Sequence, residues 1–413
     1  MSASPPAAGG AGLARPPTGA LEVFRCFLWL GLTGFGGPMA HLAMFRRVFV
    51  EERRWIAGDR YDALVALAQL VPGPASSQVG FALGRQWAGW RGALAAFVGF
   101  TLPSAVLMTA LGVGVAGLVD AAVGAAVLRG LMLVAIAVIV HAVATMLRGT
   151  RGQPALLAAA VAVGVAALLA PFSGAVWFAL LLAAGLGALW PRAVRATLAP
   201  FEQGPVPTRW ANVALGGVLL ALALSAALVT AMPGVAPGFA VAIANLQAGA
   251  LVFGGGHVVL PLLQAGTVER GLLAPEVFAT GYGAAQALPG PMFAFAAYVG
   301  AAAQPGYWAV PSALLSLLVI FAPGFAFITA AQAHAHRWLS AARGLAALAM
   351  VNAGVIGLLA AAGWEVARTV RLEGIDLPAV LVALGLLLRH PRGAFWAALA
   401  CVVYSVAVAS MAG

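Results

Sequence analysis

Apolar runs long enough to be membrane helices fill most of this chain, near 92–117, 120–147, 153–170, 172–190, 211–232, 307–330, 343–365, 376–389 and 394–411. Charged residues gather between them, and the pattern predicts an all-α bundle. Two regions depart from it because the apolar run breaks in its middle. Residues 19–35 begin as a helix carrying Glu22 and Arg25, run apolar through Trp29, and stop at Gly34-Phe-Gly-Gly-Pro38. Pro38 suits the first turn of a new helix, 38–50, where its missing N–H has no partner to lose. The most charged loop follows, from Arg46-Arg47 to Asp59-Arg60. Asp59 is expected to cap a helix over 59–71, with Asp62 in its first turn. Pro72-Gly73-Pro74 interrupts that helix, and another limb runs from 75 to about 89, with Arg85 and Arg91 flanking its end. A limb of roughly 13 residues spans about 20 Å, past the middle of a ~30 Å hydrocarbon core but not across it. Each pair of limbs therefore forms either a re-entrant hairpin or one interrupted span.

The broken pattern returns. Phe253-Gly-Gly-Gly256-His257 matches the stretch ending at Phe35-Gly-Gly37, and Glu51 falls on Glu269 at the same offset of 218 (269 − 51). Gln69 and Pro72-Gly-Pro74 fall on Gln286 and Pro289-Gly-Pro291 at an offset of 217 (286 − 69). Pro103 and Pro323 mark comparable kinks in the following spans. The expected organisation is an N-terminal tail over 1–18, a first repeat over 19–190, a Pro- and Arg-rich linker over 191–210, and a second repeat over 211–413. Broken helices within hydrocarbon are tolerated only against protein or a wet cavity, and two related halves with broken helices are a plan of secondary transporters.

Composition fixes the class. Of 413 residues, 63% are hydrophobic and 8% charged, with a mean hydropathy of +0.99, so the chain is a polytopic membrane protein. All 22 basic residues are Arg, scattered singly or in pairs. The net charge of +10 thus reads as topology and headgroup contact, not as a nucleic-acid surface. If the broken segments are re-entrant, the loops at 46–60, 85–91, 148–151, 192–209, 332–343 and 389–392 share one side with the N-terminus. Those loops hold most of the Arg outside helices, while the loops near 118, 171, 234 and 304 hold none; 366–373 is the exception. This predicts a disordered cytoplasmic tail and inverted repeats in a plasma membrane. Cys26 and Cys401 form neither a disulfide framework nor a zinc spacing.

The candidate chemistry sits at the breaks. New helices start near mid-membrane after Gly37, Gly73, Gly255 and Gly290. A helix N-terminus offers free N–H groups and about half a positive charge, so it attracts anions. The competing reading is a set of packing kinks between close helices. Ser76, Ser77 and Gln78 add hydroxyl and amide donors after the first Pro-Gly-Pro, whereas Phe293, Ala294 and Phe295 occupy the matching positions. An anion is therefore expected at the first copy. Gln69 and Gln286 either satisfy freed carbonyls or reach the ligand. Arg25 is either a ligand for the anion, a partner of Glu22, or a snorkelling side chain. Arg85 faces the same choice. His41 and His257 are either packing residues or proton-coupling groups. Arg129 is expected to face protein. No nucleophile–base pair, metal-ligand cluster or Walker loop appears, so neither enzyme activity nor a cofactor or metal is expected; a homodimer is left open.

Gly31-Leu-Thr-Gly-Phe-Gly-Gly-Pro-Met-Ala-His41 and Gln69-Leu-Val-Pro-Gly-Pro74, with their second-half versions, resemble the chromate ion transporter (CHR) family in its long, two-domain form. The resemblance covers roughly 20–410. It implies a plasma-membrane exporter of chromate that confers resistance. It also implies site roles for Gly36, Gly37, Pro38, His41, Gln69, Pro72, Gly73 and Pro74, and for Gly254, Gly255, Gln286, Pro289, Gly290 and Pro291. The sequence departs from an even repeat where Gly256 stands opposite Pro38. Sulfate or another tetrahedral oxyanion is the nearest alternative substrate; a membrane-embedded enzyme and a channel are the rival classes.

Overall fold

A computed structural model of the chain describes residues 13–35, 37–119, 122–169, 173–193, 207–231, 236–252, 259–338, 342–370, 374–389 and 393–412. Gly36, Gly254, Gly255 and His257, most of the expected tail and much of the linker lie outside the described residues. All regular structure among the described residues is helical. The first half opens with α1 (Ala20–Thr33), α2 (Gly37–Phe45) and α3 (Gly58–Leu70), with a π-helix over Arg46–Glu52 extending α2. The next element, α4 (Ala75–Val119), bends at Ala88 and Gly89, where the dihedrals leave the helical region. Its first limb is therefore short and its second limb long. The half ends with α5 (Ala122–Arg148), α6 (Pro154–Leu169) and α7 (Ser173–Leu189).

After α8 (Thr208–Ala231), the order repeats. The helices are α9 (Pro237–Leu251), α10 (Val259–Thr267), α11 (Pro275–Ala287) and α12 (Phe295–Ala303), a 3-10 turn over Met292–Ala294 preceding the last. They are followed by α13 (Ala309–Trp338), α14 (Ala342–Val370), α15 (Leu377–Arg389) and α16 (Gly393–Ala412). The first limb of α4 corresponds to α12 and its second limb to α13. Among the described residues, six helical segments are long and apolar enough to cross a membrane. The limbs around the breaks are short, as the Pro and Gly positions require.

The halves are consecutive in the chain but interleaved in space. α6 and α7 pack on α14, while α15 and α16 pack on α5, so each repeat lays its last helices on the other repeat. This reciprocal exchange is the pattern a two-fold relation generates. The core around α1–α3 and the first limb of α4 is built on Phe27, Phe45, Phe49 and Trp87, and it takes in Ile328 and Ala331 from α13. α1 meets α4 at van der Waals distance of the backbones, since a Cβ on Gly31 would lie 2.5 Å from the Phe100 carbonyl oxygen. Arg129 on α5 does face protein. Its guanidinium donates to Asp376 at 2.6 Å, and the Asp376 side chain is buried.

One local expectation fails. Asp59 does not cap α3, because Ala57 adopts the extended N-cap conformation and places Asp59 inside the first turn. There its Oδ1 accepts from the Arg60 N–H, while Asp62 pairs with Arg46.

Candidate oxyanion site at the crossed helix breaks

The breaks of the two halves dock on each other. The Gly73 N–H donates to the Val252 carbonyl at the end of α9, at 2.6 Å. The Gly290 N–H donates to the Gly34 carbonyl at the end of α1, at 2.8 Å. Each Pro-Gly-Pro break thus satisfies a carbonyl freed by the glycine break of the other repeat, as a low-dielectric setting demands. The seats are also exchanged. Gly73 lies against Gly324, beside Pro323 of α13, and Gly290 lies against Ser104, beside Pro103 of α4. Both glycines need their residue type. Gly73 has φ +127° and Gly290 φ +104°, and a Cβ would come within 2.7 Å of Gly324 Cα in the first case and 2.6 Å of Ser104 Oγ in the second.

The two helices that begin at these breaks are enclosed on every side: residues 73–84 and 290–301 are all buried. In the first, the earliest intrahelical bond runs from the Gln78 N–H to the Pro74 carbonyl, at 2.9 Å. The N–H groups of Ala75, Ser76 and Ser77 precede it and point out of the helix start. The Ser77 hydroxyl is buried and has no partner. In the second helix a 3-10 turn takes up donors early: the Ala294 N–H bonds to the Pro291 carbonyl at 2.9 Å, and the Phe295 N–H bonds to the Met292 carbonyl. Its side chains there are Phe293 and Ala294, with no hydroxyl.

His41 ties three of these pieces together. Its Nε2 lies 3.1 Å from the Gly34 carbonyl oxygen, which can only accept, so Nε2 carries the proton. Nδ1 is then an acceptor, and the Ser76 hydroxyl donates to it over 3.5 Å. The ring is wholly buried and stands edge-on to Phe100 at 5.1 Å. Ser76 therefore spends its proton on His41, which leaves Ser77 as the one serine hydroxyl of the pair free to donate elsewhere.

Gln78 departs from the expected role. Its amide nitrogen donates to Pro72 at 2.7 Å and to Gly324 at 2.9 Å, so both hydrogens are engaged in a latch between α4 and α13. Only its Oε1, buried and without a partner, remains. Two further residues lie apart from the cluster. Arg25 is exposed near the start of α1, with no ion pair to Glu22. Gln69 is also exposed, its amide 4.0 Å from Met39 Sδ. Its counterpart Gln286 is buried, hydrogen-bonds Tyr282, and keeps an unpartnered Nε2. Pro38 lies in the first turn of α2, and Pro72, Pro74, Pro289 and Pro291 bracket the two docked glycines.

The seats at Val252, Gly324 and Ser104 were not legible as site residues. Pro103 and Pro323 were the available signal, but the structure shows each as a proline inside a helix, and their crossing was not legible. Among the described residues no group of His, Cys, Asp and Glu could hold a metal, and both thiols are buried and far apart in the fold's cores. What the cluster offers is a water-poor array of N–H and O–H donors, suited to holding an anion.

Comparison with known proteins agrees with that chemistry. The chromate transporter family model matches residues 21–189 and 239–409, one region for each repeat, leaving α8 between them. The chain is 32% identical over 377 residues to the chromate transport protein of Pseudomonas aeruginosa, covering 90% of this chain and 87% of that one. It is 28% identical to the chromate transport protein of Cupriavidus metallidurans, with 88% and 86% covered. It is 30% identical to the probable chromate transport protein of Synechococcus elongatus, with 73% of each covered. No solved structure matches. With two repeats that carry the family's match and breaks that cross between them, this multi-pass helical membrane protein belongs to the chromate transporter family, a family of transporters and not of enzymes.

Proposed function

We propose that the protein exports chromate from the cytoplasm, holding the dianion at the start of α4 on the N–H groups of Ala75, Ser76 and Ser77 and the Ser77 hydroxyl. The observation that carries this reading is the reciprocal pair of hydrogen bonds, Gly73 to Val252 and Gly290 to Gly34, which brings both broken regions to one buried place. An unpartnered hydroxyl at a helix start, inside protein, fits an oxyanion better than it fits packing. The relatives named for chromate transport supply the substrate. Alternating access follows if the two interleaved bodies rock, since each crossed bond spans the repeats and can open on one side at a time. The Arg-rich loops favour a cytoplasmic N-terminus, and four crossings in the first repeat plus α8 then make the second repeat inverted. An inside-negative potential of 100 mV favours export of a dianion by about 4.6 kcal/mol, at about 2.3 per charge.

The test is flux in proteoliposomes under an imposed potential. Chromate should leave the negative compartment with saturable kinetics, and excess sulfate should inhibit weakly. Equal competition by sulfate would reassign the substrate to tetrahedral oxyanions in general. Conductance steps in place of saturable flux would make the protein a channel. Single thiols introduced within 46–60 and 266–275 should label from opposite faces; labelling from one face removes the inversion.

A further inference from the structure

We propose that Arg85 and Gln332 form a second oxyanion station, between the first limb of α4 and α13, through which the anion passes between the central breaks and the cytoplasm. It rests on the transport reading above and adds a place on the route. Arg85 lies about 12 Å along the helix axis from Ser77, at 1.5 Å per residue. It sits at the end of the limb that the Arg-rich loops place on the cytoplasmic side. Its terminal nitrogen donates to Gln332 Oε1 at 3.0 Å, and its guanidinium lies 5.6 Å from the Trp90 ring. Its Nε is buried and has no partner. Among the described residues no carboxylate pairs with it.

That isolation is what sets Arg85 apart. Arg129, inside α5, is neutralised by Asp376 at 2.6 Å. A part-buried guanidinium without a counter-ion has donors left for an anion, and in a membrane protein such a charge marks a pathway by default. Gln332 fixes one edge of the fork, and the remaining N–H groups are left for an oxyanion.

Among the described residues the seam between these helices carries a charge in one repeat only. In the first, Gln78, Phe81 and Arg85 meet Gly324, Phe325 and Gln332 in order along the two helices, with Phe81 stacked on Phe325 at 4.2 Å. In the second, the position of Arg85 is Ala302 (85 + 217) and that of Gln332 is Gly112 (332 − 220). There a Cβ on Gly112 would lie 2.8 Å from Ala301 Cβ and from the Tyr298 carbonyl oxygen, so the seam is closed by backbone contact. An anion leaving the Ser77 hydroxyl meets the Arg85 guanidinium along the first seam, whereas the second seam offers Ser104, whose hydroxyl already donates to the Thr101 carbonyl, and then closes at Gly112.

The test uses the full-length protein in proteoliposomes, with chromate supplied to the cytoplasmic face. Arg85→Met should raise the chromate KM about tenfold or more and leave kcat within about twofold, the loss expected for a charge-assisted contact made on binding. Arg85→Lys should recover part of that loss. Arg85→Cys should behave like Arg85→Met until 2-aminoethyl methanethiosulfonate restores a cation, and chromate or sulfate should slow that labelling. A KM in Arg85→Met within about twofold of the parent, or labelling that neither anion slows, overturns the station. If the parent protein moves no chromate, the transport reading fails, and the protection of the introduced thiol still decides whether an oxyanion sits at this position.

Discussion

After Pro74 the chain enters an α-helical turn carrying Ser76, Ser77 and Gln78; after Pro291 it tightens into a 3-10 turn carrying Met292, Phe293 and Ala294. The backbones before these turns are alike: a positive-φ glycine between two prolines, a bond to a carbonyl of the other repeat, and a seat beside a proline inside a helix of the other repeat. The shared part is what two-fold packing needs. The unshared part is what binding chemistry needs, and it lies in one copy. On the proposed reading the repeats divide the work: the second break mainly shapes the crossing, and the first both shapes it and presents donors.

The largest effect expected from this division is at the glycines. Gly73→Ala puts a Cβ at φ +127° against the Gly324 backbone, which cannot move aside without shifting α13. Strain and overpacking together should cost about 3 kcal/mol or more, seen as a large fall in unfolding temperature in detergent and loss of flux. Gly290→Ala meets the Ser104 side chain instead, a softer neighbour, and should fold better. Its defect should shrink when Ser104→Ala is added. Equal damage at the two glycines would remove the asymmetry in how tightly the breaks are seated.

How much of this was legible beforehand follows from the physics of each feature. Pro and Gly act on the backbone they occupy, so the breaks at Gly37, Gly73 and Gly290 and the lengths of their limbs could be read from residue type; the break expected after Gly255 lies outside the described residues. The spacing of Gln69 and Gln286, with Pro-Gly-Pro after each, carried the repeat. Roles that depend on a distant partner could not be read. Gln78 looked like a ligand donor, but Gly324, far along the chain, takes its second hydrogen. Arg25 was open to three readings, an anion ligand, a partner of Glu22 or a snorkelling side chain, and only its exposed place on α1, without the Glu22 pair, separates them. Ser76 and Ser77 looked equivalent until His41, on another helix, took the proton of one.

The donors give a smaller and more specific effect. Ser77→Ala removes the free hydroxyl and should reduce chromate kcat/KM by about tenfold, because a hydrogen bond to a charged group contributes about 1.5–3 kcal/mol. Ser76→Ala should act less on binding, since its hydroxyl serves His41. Ala294→Ser, which places a hydroxyl at the matching position of the second break, should leave kcat/KM unchanged, because the 3-10 turn there has already engaged its N–H groups. If Ala294→Ser compensates for Ser77→Ala, the two breaks are interchangeable and the division of work fails.

The same contrast between repeats recurs outside the spans, with the smallest effect. Glu51 and Glu269 occupy matching positions, but Glu51 lies 3.8 Å from Arg46, whereas the position of Arg46 is taken by the neutral Gln264 in the second repeat. Glu269 and Glu365 line one cavity of about 80 Å³ between α9, α10 and α14. Burial, and then the Glu365 charge, push the Glu269 carboxyl above the usual carboxylate range. A raised folded pKa means that the folded state binds more protons than the unfolded chain. The native state is therefore favoured at pH below the unfolded carboxylate pKa, and that advantage is lost as pH rises through the folded value. Glu269→Gln should then raise the unfolding temperature at neutral pH, by an amount equivalent to less than about 1 kcal/mol because the group is partly solvated. The gain over the parent should vanish as pH falls through the carboxylate range. Glu51→Gln, which removes an exposed ion pair, should change stability in the opposite direction at neutral pH and by no more than about 1 kcal/mol. A shared sign for the two substitutions would mean that the repeats set their loop carboxylates in equivalent fields, despite the exchange of Arg46 for Gln264.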